Sequence, residues 1–219
     1  MPEGIGGGTF MEHSEVLPLF PLEAVLFPQS QMPLHIFEER YKRLIAECLP
    51  GGLPFGVNRK EDEQIEPVGC TAVVRDVLKR YPDGRMDIVV EGRRRYSLLG
   101  MVDTPTPYRS GRIRWYDDVS EEADDGLIRR AVELHNRFAA LVFRGSVKPV
   151  ELSDVRRTRS FHLVQKSGMV LAQRQTLLSM TAENERLEFL VRHLEEIVPV
   201  AESRSKAEEL ARNDGYLQE

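Results

Sequence analysis

Few residues in this chain have the types and spacing that catalysis or metal binding requires. Ser203 and Lys206 match an S-x-x-K nucleophile motif, but the SDN and KTG motifs that accompany it in penicillin-binding enzymes are absent from the sequence. Five histidines are potential ligands: His13, His35, His135, His162 and His193. They form no H-E-x-x-H motif, and no two of them are four residues apart. We therefore expect no catalytic residue, no metal site and no cofactor.

A second group of polar residues, His35, Glu38 and Arg40, has the chemistry for acid–base work. Structural roles are the preferred interpretation. Glu38 precedes a predicted helix, where a carboxylate satisfies free backbone N–H groups. Arg40 is expected to pair with an acidic neighbour. His135 lies on the apolar face of another predicted helix, so we expect a packed core or interface histidine there.

The run Arg93–Arg95, followed by Tyr96, is the one local cluster of basic residues. Arginine beside an aromatic side chain suits contact with an RNA backbone and stacking on bases. The formal net charge of −5 and the acidic stretches at 61–66 and 117–125 count against a nucleic-acid binder. Neighbouring side chains of a strand also point to opposite faces, which counts against one basic face formed by the three arginines. An RNA-binding module, with Arg93, Arg94 and Arg95 as its basic patch, therefore stays as an alternative.

Composition is that of a globular protein, with 41% hydrophobic and 30% charged residues. Cys48 and Cys70 are too few for a disulfide framework and lack the C-x2-C spacing of a zinc ribbon. No apolar run approaches the ~20 residues that span a bilayer, and residues 1–13 lack the features of a signal peptide. We expect a cytoplasmic protein with two free thiols and a flexible N-terminal tail over residues 1–13.

Residues 14–118 predict a small β barrel with one helix. The predicted strands lie at 16–20, 32–37, 54–59, 69–81, 85–92, 94–102 and 109–118. Pro82-Asp83-Gly84 is a turn tripeptide that predicts a hairpin. Residues 38–49 carry apolar side chains at helical spacing, and Pro50-Gly51-Gly52 ends that helix. Several strands with tight turns and one helix favour a closed or half-closed barrel.

Residues 119–200 predict an α-helical bundle, so the fold class is α+β. Two apolar stripes at helical spacing, one over 128–142 and one over 187–198, are the strongest signals. Pro199 is expected to end the last helix of the bundle. Residues 201–219 then form a charged C-terminal tail that is helical in part.

The opening segment 17–45 closely resembles the start of the Lon protease N-terminal domain, particularly its stand-alone bacterial form. The matching phrases are LPLFPL at 17–22, VLFP at 25–28 and PLHIFEERY at 33–41. Weaker matches follow at GCTA (69–72), DGR (83–85), VVEG (89–92), RRY (94–96), QTLL (175–178) and ERL (185–187). The resemblance covers most of the chain, from residue 15 to residue 198.

This resemblance implies a PUA-like β pseudo-barrel followed by an α-helical bundle. It also implies recognition of unfolded or tagged protein segments, as a substrate receptor or as an adaptor beside a protease or chaperone. The sequence contains no G-x-x-x-x-G-K-[ST] phosphate loop, and it is too short to include the Ser–Lys protease domain of Lon. The implied function is therefore protein binding without ATPase or peptidase activity, with no membrane partner.

A peptide receptor needs exposed apolar surface or an open strand edge, and proline-broken strands leave such an edge. The candidate peptide-binding residues are Phe20, Leu22, Phe27, His35 and Phe37. Core packing is the competing interpretation for the apolar members of this set. A third function also remains open, an enzyme with a small-molecule site between the two halves, because ligand sites favour domain boundaries.

Overall fold

The computed structural model describes the backbone of residues 14–213 and the side chains of all of these except residues 157, 158, 212 and 213. The predicted N-terminal tail at 1–13 and residues 214–219 of the predicted C-terminal tail lie outside the described residues. The strands are β1 Glu15–Pro18, β2 Gln31–Ile36, β3 Phe55–Glu61, β4 Gln64–Arg80, β5 Met86–Val102 and β6 Ser110–Trp115. The helices are α1 Glu39–Cys48, α2 Asp125–Phe143, α3 Leu152–Thr158, α4 Phe161–Val164, α5 Leu171–Ser179 and α6 Glu183–Asn213.

The hairpin of β4 and β5, two strands of 17 residues each, forms the centre of the sheet. Its turn is closed by a hydrogen bond from the N–H of Tyr81 to the carbonyl of Arg85, at 2.9 Å. Gly84 has a φ of 82°, which glycine adopts without steric cost. The predicted hairpin is confirmed. The two strands predicted on either side of residue 93 are one continuous strand, β5. At Gly92 the Phe27 carbonyl oxygen comes so close that a side chain would clash with it.

The six strands form an antiparallel sheet in the order β1-β6-β5-β4-β3, and β2 pairs with the first part of β5. The named strands leave this sheet unclosed. Its two edges meet where the segment after β1 runs parallel to β3: the N–H of Phe20 donates to Gly56 at 2.7 Å, and that of Leu22 to Asn58 at 3.0 Å. The expected α+β fold, a β pseudo-barrel followed by helices, is confirmed.

Each half has its own apolar core, formed by the residues whose spacing predicted it. In the barrel, α1 contributes Tyr41, Leu44, Ile45 and Cys48 to a buried cluster with the inner faces of β2 to β5. In the bundle, α2 packs along α6, and both predicted stripes contribute to the core between the helices, except that Val142 at the end of the first stripe is 47% exposed. Burial of these faces is what fixes the helices, since isolated helices of this length are marginal in water.

Helix α6 continues past Pro199 to Asn213, contrary to the prediction that this proline ends it. A proline inside a helix removes one backbone hydrogen bond. Beyond that point Ala201 still packs against the core of the bundle. Arg137 of α2 and Arg144 at its C-terminal cap also pair with Glu202 and Glu208, each at 2.5 Å. These contacts between distant parts of the chain explain why the local break does not end the helix.

Candidate functional site

His35 and Phe37, two of the five predicted peptide-binding residues, lie on the surface of the barrel. The Phe37 side chain is 59% exposed, although it is large and apolar. Its ring stacks on that of His35, with centroids 6.0 Å apart and planes 21° apart. The Tyr81 ring meets that of His35 edge-on, with centroids 6.0 Å apart. We call these three residues the β2 aromatic surface.

Asp87 on β5 holds the β2 aromatic surface in place. Its Oδ1 atom lies 2.6 Å from Nδ1 of His35, and its Oδ2 atom accepts a hydrogen bond from the Tyr81 hydroxyl at 2.8 Å. The hydrogen bond from His35, and then that from Tyr81, lower the pKa of Asp87. One carboxylate therefore fixes two rings. The Lys79 ammonium and the Arg85 guanidinium lie 4.5 Å and 5.0 Å from the Tyr81 ring centroid.

Strand β2 is an edge strand among the described strands, since its one ladder is with β5. Pro33 stands in the middle of it, opposite Val89. Proline cannot donate to a ladder, and it is therefore found on edge strands. Exposed and more buried side chains alternate along the strand, so that His35 faces solvent and Ile36 faces the core. Its other edge pairs with no described strand, and binding by strand addition requires such an edge.

The other three predicted peptide-binding residues contribute to packing. Phe20 is 5% exposed and lies 4.0 Å from Tyr41, measured between ring centroids. Phe27 is 1% exposed and stacks on Phe161 of α4 at 5.6 Å, so that it joins the barrel to the bundle. Leu22 is half-buried against the barrel core. A role for these residues in peptide binding stays a prediction, and it would require the core to open.

The three arginines of the predicted basic patch lie in three different environments. Arg93 is exposed and pairs with Glu91 at 2.9 Å. Arg94 donates two hydrogen bonds to the Asp117 carboxylate, at 3.0 Å and 2.6 Å. Arg95 is 3% exposed and points into the interior. These side chains therefore do not form one basic surface, because Arg95 is buried and the exposed Arg93 and Arg94 each pair with an acidic residue of their own.

Arg95 belongs to a buried network at the junction of barrel and bundle. Its Nη1 atom donates to two carbonyls at the end of α5, both at 2.6 Å, and its Nη2 atom pairs with Asp118. Arg186, which is fully buried, pairs with the same Asp118 and, at 2.6 Å, with Glu183. Burial acts to lower the pKa of Arg186, but hydrogen bonds to Asp118 and interaction with Glu183 raise it above its ordinary value. No local pattern in the sequence predicts that these two arginines are interior.

A cavity of about 540 Å³ lies between the barrel and α5. This is the cleft in which an enzyme would have its small-molecule site. Arg59 and Glu66 line it from the barrel, and they pair with each other at 3.2 Å. Gln175 lines it from α5, and its amide N–H donates to the carbonyl of Val68 at 2.9 Å. These contacts satisfy only part of the lining, since Arg59 Nε and Gln175 Oε1 are buried with no hydrogen-bond partner among the described residues. A small-molecule site there stays a prediction. Within residues 14–213, no three histidine, cysteine, aspartate or glutamate side chains form a group that could hold a metal ion.

Glu38 and Arg40 interact with each other at the start of α1. The Arg40 Nε–H donates to the Glu38 carboxylate at 2.8 Å, which confirms the predicted pairing of Arg40. The predicted capping role of Glu38 is wrong, since its side chain accepts no hydrogen bond from the first turn. The carboxylate instead turns to the nearby arginine, which offers a stronger, charge-assisted hydrogen bond.

Solved structures of two similar proteins share the fold. The Lon N-terminal domain protein from Xanthomonas campestris aligns with a TM-score of 0.60 at 23% identity, over 81% of this chain and 98% of that one. The N-terminal domain of the Mycobacterium avium complex Lon protease aligns with a TM-score of 0.63 at 19% identity, over 83% and 98%. At these identities the likeness shows the fold.

Curated relatives with similar sequences are Lon proteases. The protein from Dictyoglomus thermophilum is 22% identical over 91% of this chain, and that from Escherichia coli is 26% identical over 82%. The chain spans about a quarter of these relatives' length, namely 27% and 24%. In the described part of the chain, the helices are too short or too polar to cross a membrane.

The family model of the ATP-dependent protease La (LON) substrate-binding domain matches residues 16–196. That range includes the pseudo-barrel except for Glu15, the β2 aromatic surface and the buried junction network, and it extends into α6. The chain therefore belongs to the family of LON substrate-binding domains.

Proposed function

We propose that this chain recognises extended, unfolded segments of other proteins through the β2 aromatic surface, and that it carries out no chemistry on them. The observation that carries the proposal is the exposed Phe37 ring, which directly follows the edge strand β2 and stacks on its His35, in a member of a substrate-binding family. An exposed aromatic cluster at a strand edge offers both apolar contact and backbone hydrogen bonds.

The fixed positions of the His35 and Tyr81 rings support a binding role for the exposed aromatic surface. Because Asp87 fixes the rings of His35 and Tyr81, less conformational entropy is lost when a ligand orders them. Phe37 stacks on this fixed platform and adds area that a partner's apolar side chain can bury. A partner segment that lacks stable structure can present its own backbone to the strand edge.

The finer parts of the proposal are an adaptor role beside a protease or chaperone, and a location in the cytoplasm. Two free cysteines support a reducing compartment. Burial raises the pKa of the Cys48 thiol to about 11 and that of Cys70 to about 12, so both side chains act as inert apolar groups. The ATPase and peptidase activities of full-length Lon proteases are not part of the proposed function.

The test is binding of a fluorescently labelled, reduced and carboxymethylated protein that stays unfolded in buffer, measured by anisotropy. We expect Phe37→Ala to weaken binding by roughly tenfold, which corresponds to the loss of most of one aromatic contact. The matched control is Leu99→Ala, a substitution at another exposed apolar position on the barrel. Equal affinity of the two variants, with both folded by circular dichroism, would overturn the proposal.

Salt separates this function from nucleic-acid binding. Apolar burial predicts an affinity that changes little between low and moderate salt, whereas phosphate contacts predict a steep loss. A steep loss for the unfolded probe would also contradict the proposal, since it would show that charge rather than the aromatic rings supplies the affinity.

A further inference from the structure

Strand β2 turns only half of its residues toward its open edge. In an antiparallel pair, residues alternate between those whose N–H and C=O groups face the partner strand and those whose groups face away from it. The residues of β2 pair with β5 without a register shift, from Gln31 opposite Glu91 to Ile36 opposite Met86. The direction of one residue in this ladder therefore gives the direction of all the others.

Two backbone hydrogen bonds fix that direction. The N–H of Gly92 donates to the carbonyl of Ser30, just before β2, at 2.9 Å, so the backbone of Gly92 faces the β2 side. The carbonyl of Arg85 accepts from the N–H of Tyr81, just after β4, at 2.9 Å, so this residue faces the β4 side. Because the directions alternate, the even-numbered residues of β5 between these two positions face β2, and the odd-numbered residues face β4.

The odd-numbered residues of β2 therefore face its open edge. They are Gln31, Pro33 and His35, since each is opposite an odd-numbered residue of β5. Within residues 14–213, no backbone hydrogen bond outside the ladder with β5 reaches them. Gln31 and His35 each offer an N–H and a C=O group at this edge, whereas Pro33 offers only a carbonyl. The open edge thus lacks a donor at its centre.

The missing donor separates a part of the edge that adjoins the aromatic rings from a part that does not. His35 stacks on Phe37, and residues opposite each other on neighbouring strands place their side chains on the same face. A segment that bonds to the backbone of His35 therefore brings its own side chain against these rings. A segment that continues toward Gln31 meets the position without a donor and moves away from Phe37.

We propose that Pro33 sets the register in which a partner strand is added to β2, by confining the backbone hydrogen bonds to the His35 end of the edge. The inference rests on the proposed function, and it names the residue that determines where an extended segment pairs. A proline within an edge strand also shortens the ladder that any other chain can form there. Side-chain contacts at the β2 aromatic surface then supply most of the affinity.

Hydrogen exchange of the backbone amides tests this register. It is measured by NMR on the 219-residue chain, with and without the unfolded, carboxymethylated probe. In the free protein, the amides of Leu34 and Ile36 should exchange slowly because they bond to β5, and those of Gln31 and His35 should exchange fast. The probe should slow exchange at His35 and leave Gln31 unchanged. Equal slowing at both positions, or slowing at neither while the probe is bound, would overturn the proposal.

Pro33→Val and Pro33→Ala each restore the missing donor. Both should tighten binding of the probe roughly two- to tenfold, the net contribution of one hydrogen bond, and should extend the slowed exchange to Gln31. Valine and alanine differ in size and in strand propensity, so a gain that both variants share is due to the donor. Pro67→Val, at an exposed proline of β4, is the matched control and should leave the affinity unchanged.

Two results distinguish a failure of this inference from a failure of the proposed function. If both Pro33 variants fold, as judged by circular dichroism, and bind the probe no more tightly than the unaltered protein, Pro33 does not set the register and the proposed function still stands. If the unaltered protein does not bind the probe, or if Phe37→Ala binds it equally well, the proposed function fails and this inference fails with it.

Discussion

The junction network and the β2 aromatic surface invert the usual distribution of side chains. At the junction, Arg95 and Arg186 are buried, whereas on β2 the apolar ring of Phe37 is exposed. The buried charges have partners on both halves, so they fix how barrel and bundle meet. The exposed ring has a platform on one side and solvent on the other. Arg95 and Arg186 therefore stabilise the architecture, whereas Phe37 remains available to a partner.

The largest effect is expected from Arg186→Met, which removes the centre of the junction network. Glu183 and Asp118 would each lose a buried counter-charge, and breaking a buried ion pair in this way costs about 3–5 kcal/mol. Urea unfolding measures the loss. Arg130→Met is the control, because Arg130 and Glu195 form an exposed pair that contributes about 0–1 kcal/mol. A similar, small loss in both variants would mean that the network does not hold the halves together.

An intermediate effect is expected from Tyr81→Phe, a substitution in the β2 aromatic surface. The variant keeps the ring and removes the hydroxyl that donates to Asp87. One hydrogen bond contributes about 0.5–1.5 kcal/mol, so affinity for the unfolded probe should fall a few-fold as the rings lose their fixed geometry. The free energy of unfolding should change by less than in Arg186→Met. A larger change in stability than in affinity would assign Tyr81 to the architecture.

The smallest effect is a dependence on acid pH. The pKa of Asp87 is lowered by its hydrogen bonds with His35 and Tyr81, so its contribution to stability is present above the unfolded-state pKa of about 3.9 and is lost as pH falls through the lower folded-state value. Asp87→Asn removes that contribution. The difference in unfolding free energy between the two proteins should therefore shrink as pH falls below about 4. A difference that stays constant with pH would contradict the assignment.

Local patterns predicted most of the fold but little of the junction. The helix α1, the hairpin at residues 82–84 and the two bundle stripes follow from spacing that a few neighbouring residues display. Arg95 contacts the end of α5, far along the chain, and nothing near Arg95 in the sequence marks it as interior. From the sequence alone, a run of three arginines predicts a basic surface. The structure is needed to show that Arg95 faces inward.

The candidate site was predictable in part for the same reason. His35 and Phe37 lie on a proline-interrupted strand, which marked them as residues near an open edge. Tyr81 follows the end of β4, and it meets His35 because β2 and β4 flank β5 in this register. The five candidates also included Phe20 and Phe27, since hydrophobicity alone does not separate a binding residue from a core residue.

The stacking of Phe27 on Phe161 has a consequence for synthesis. The ribosome makes Phe27 early, and its partner ring emerges about 130 residues later, on the order of ten seconds at ordinary elongation rates. Until then the barrel segment exposes an aromatic side chain that the finished protein buries. During that interval the nascent chain resembles the unfolded segments that the folded protein is proposed to recognise, and chaperones, or finished copies of the same protein, have a target on it.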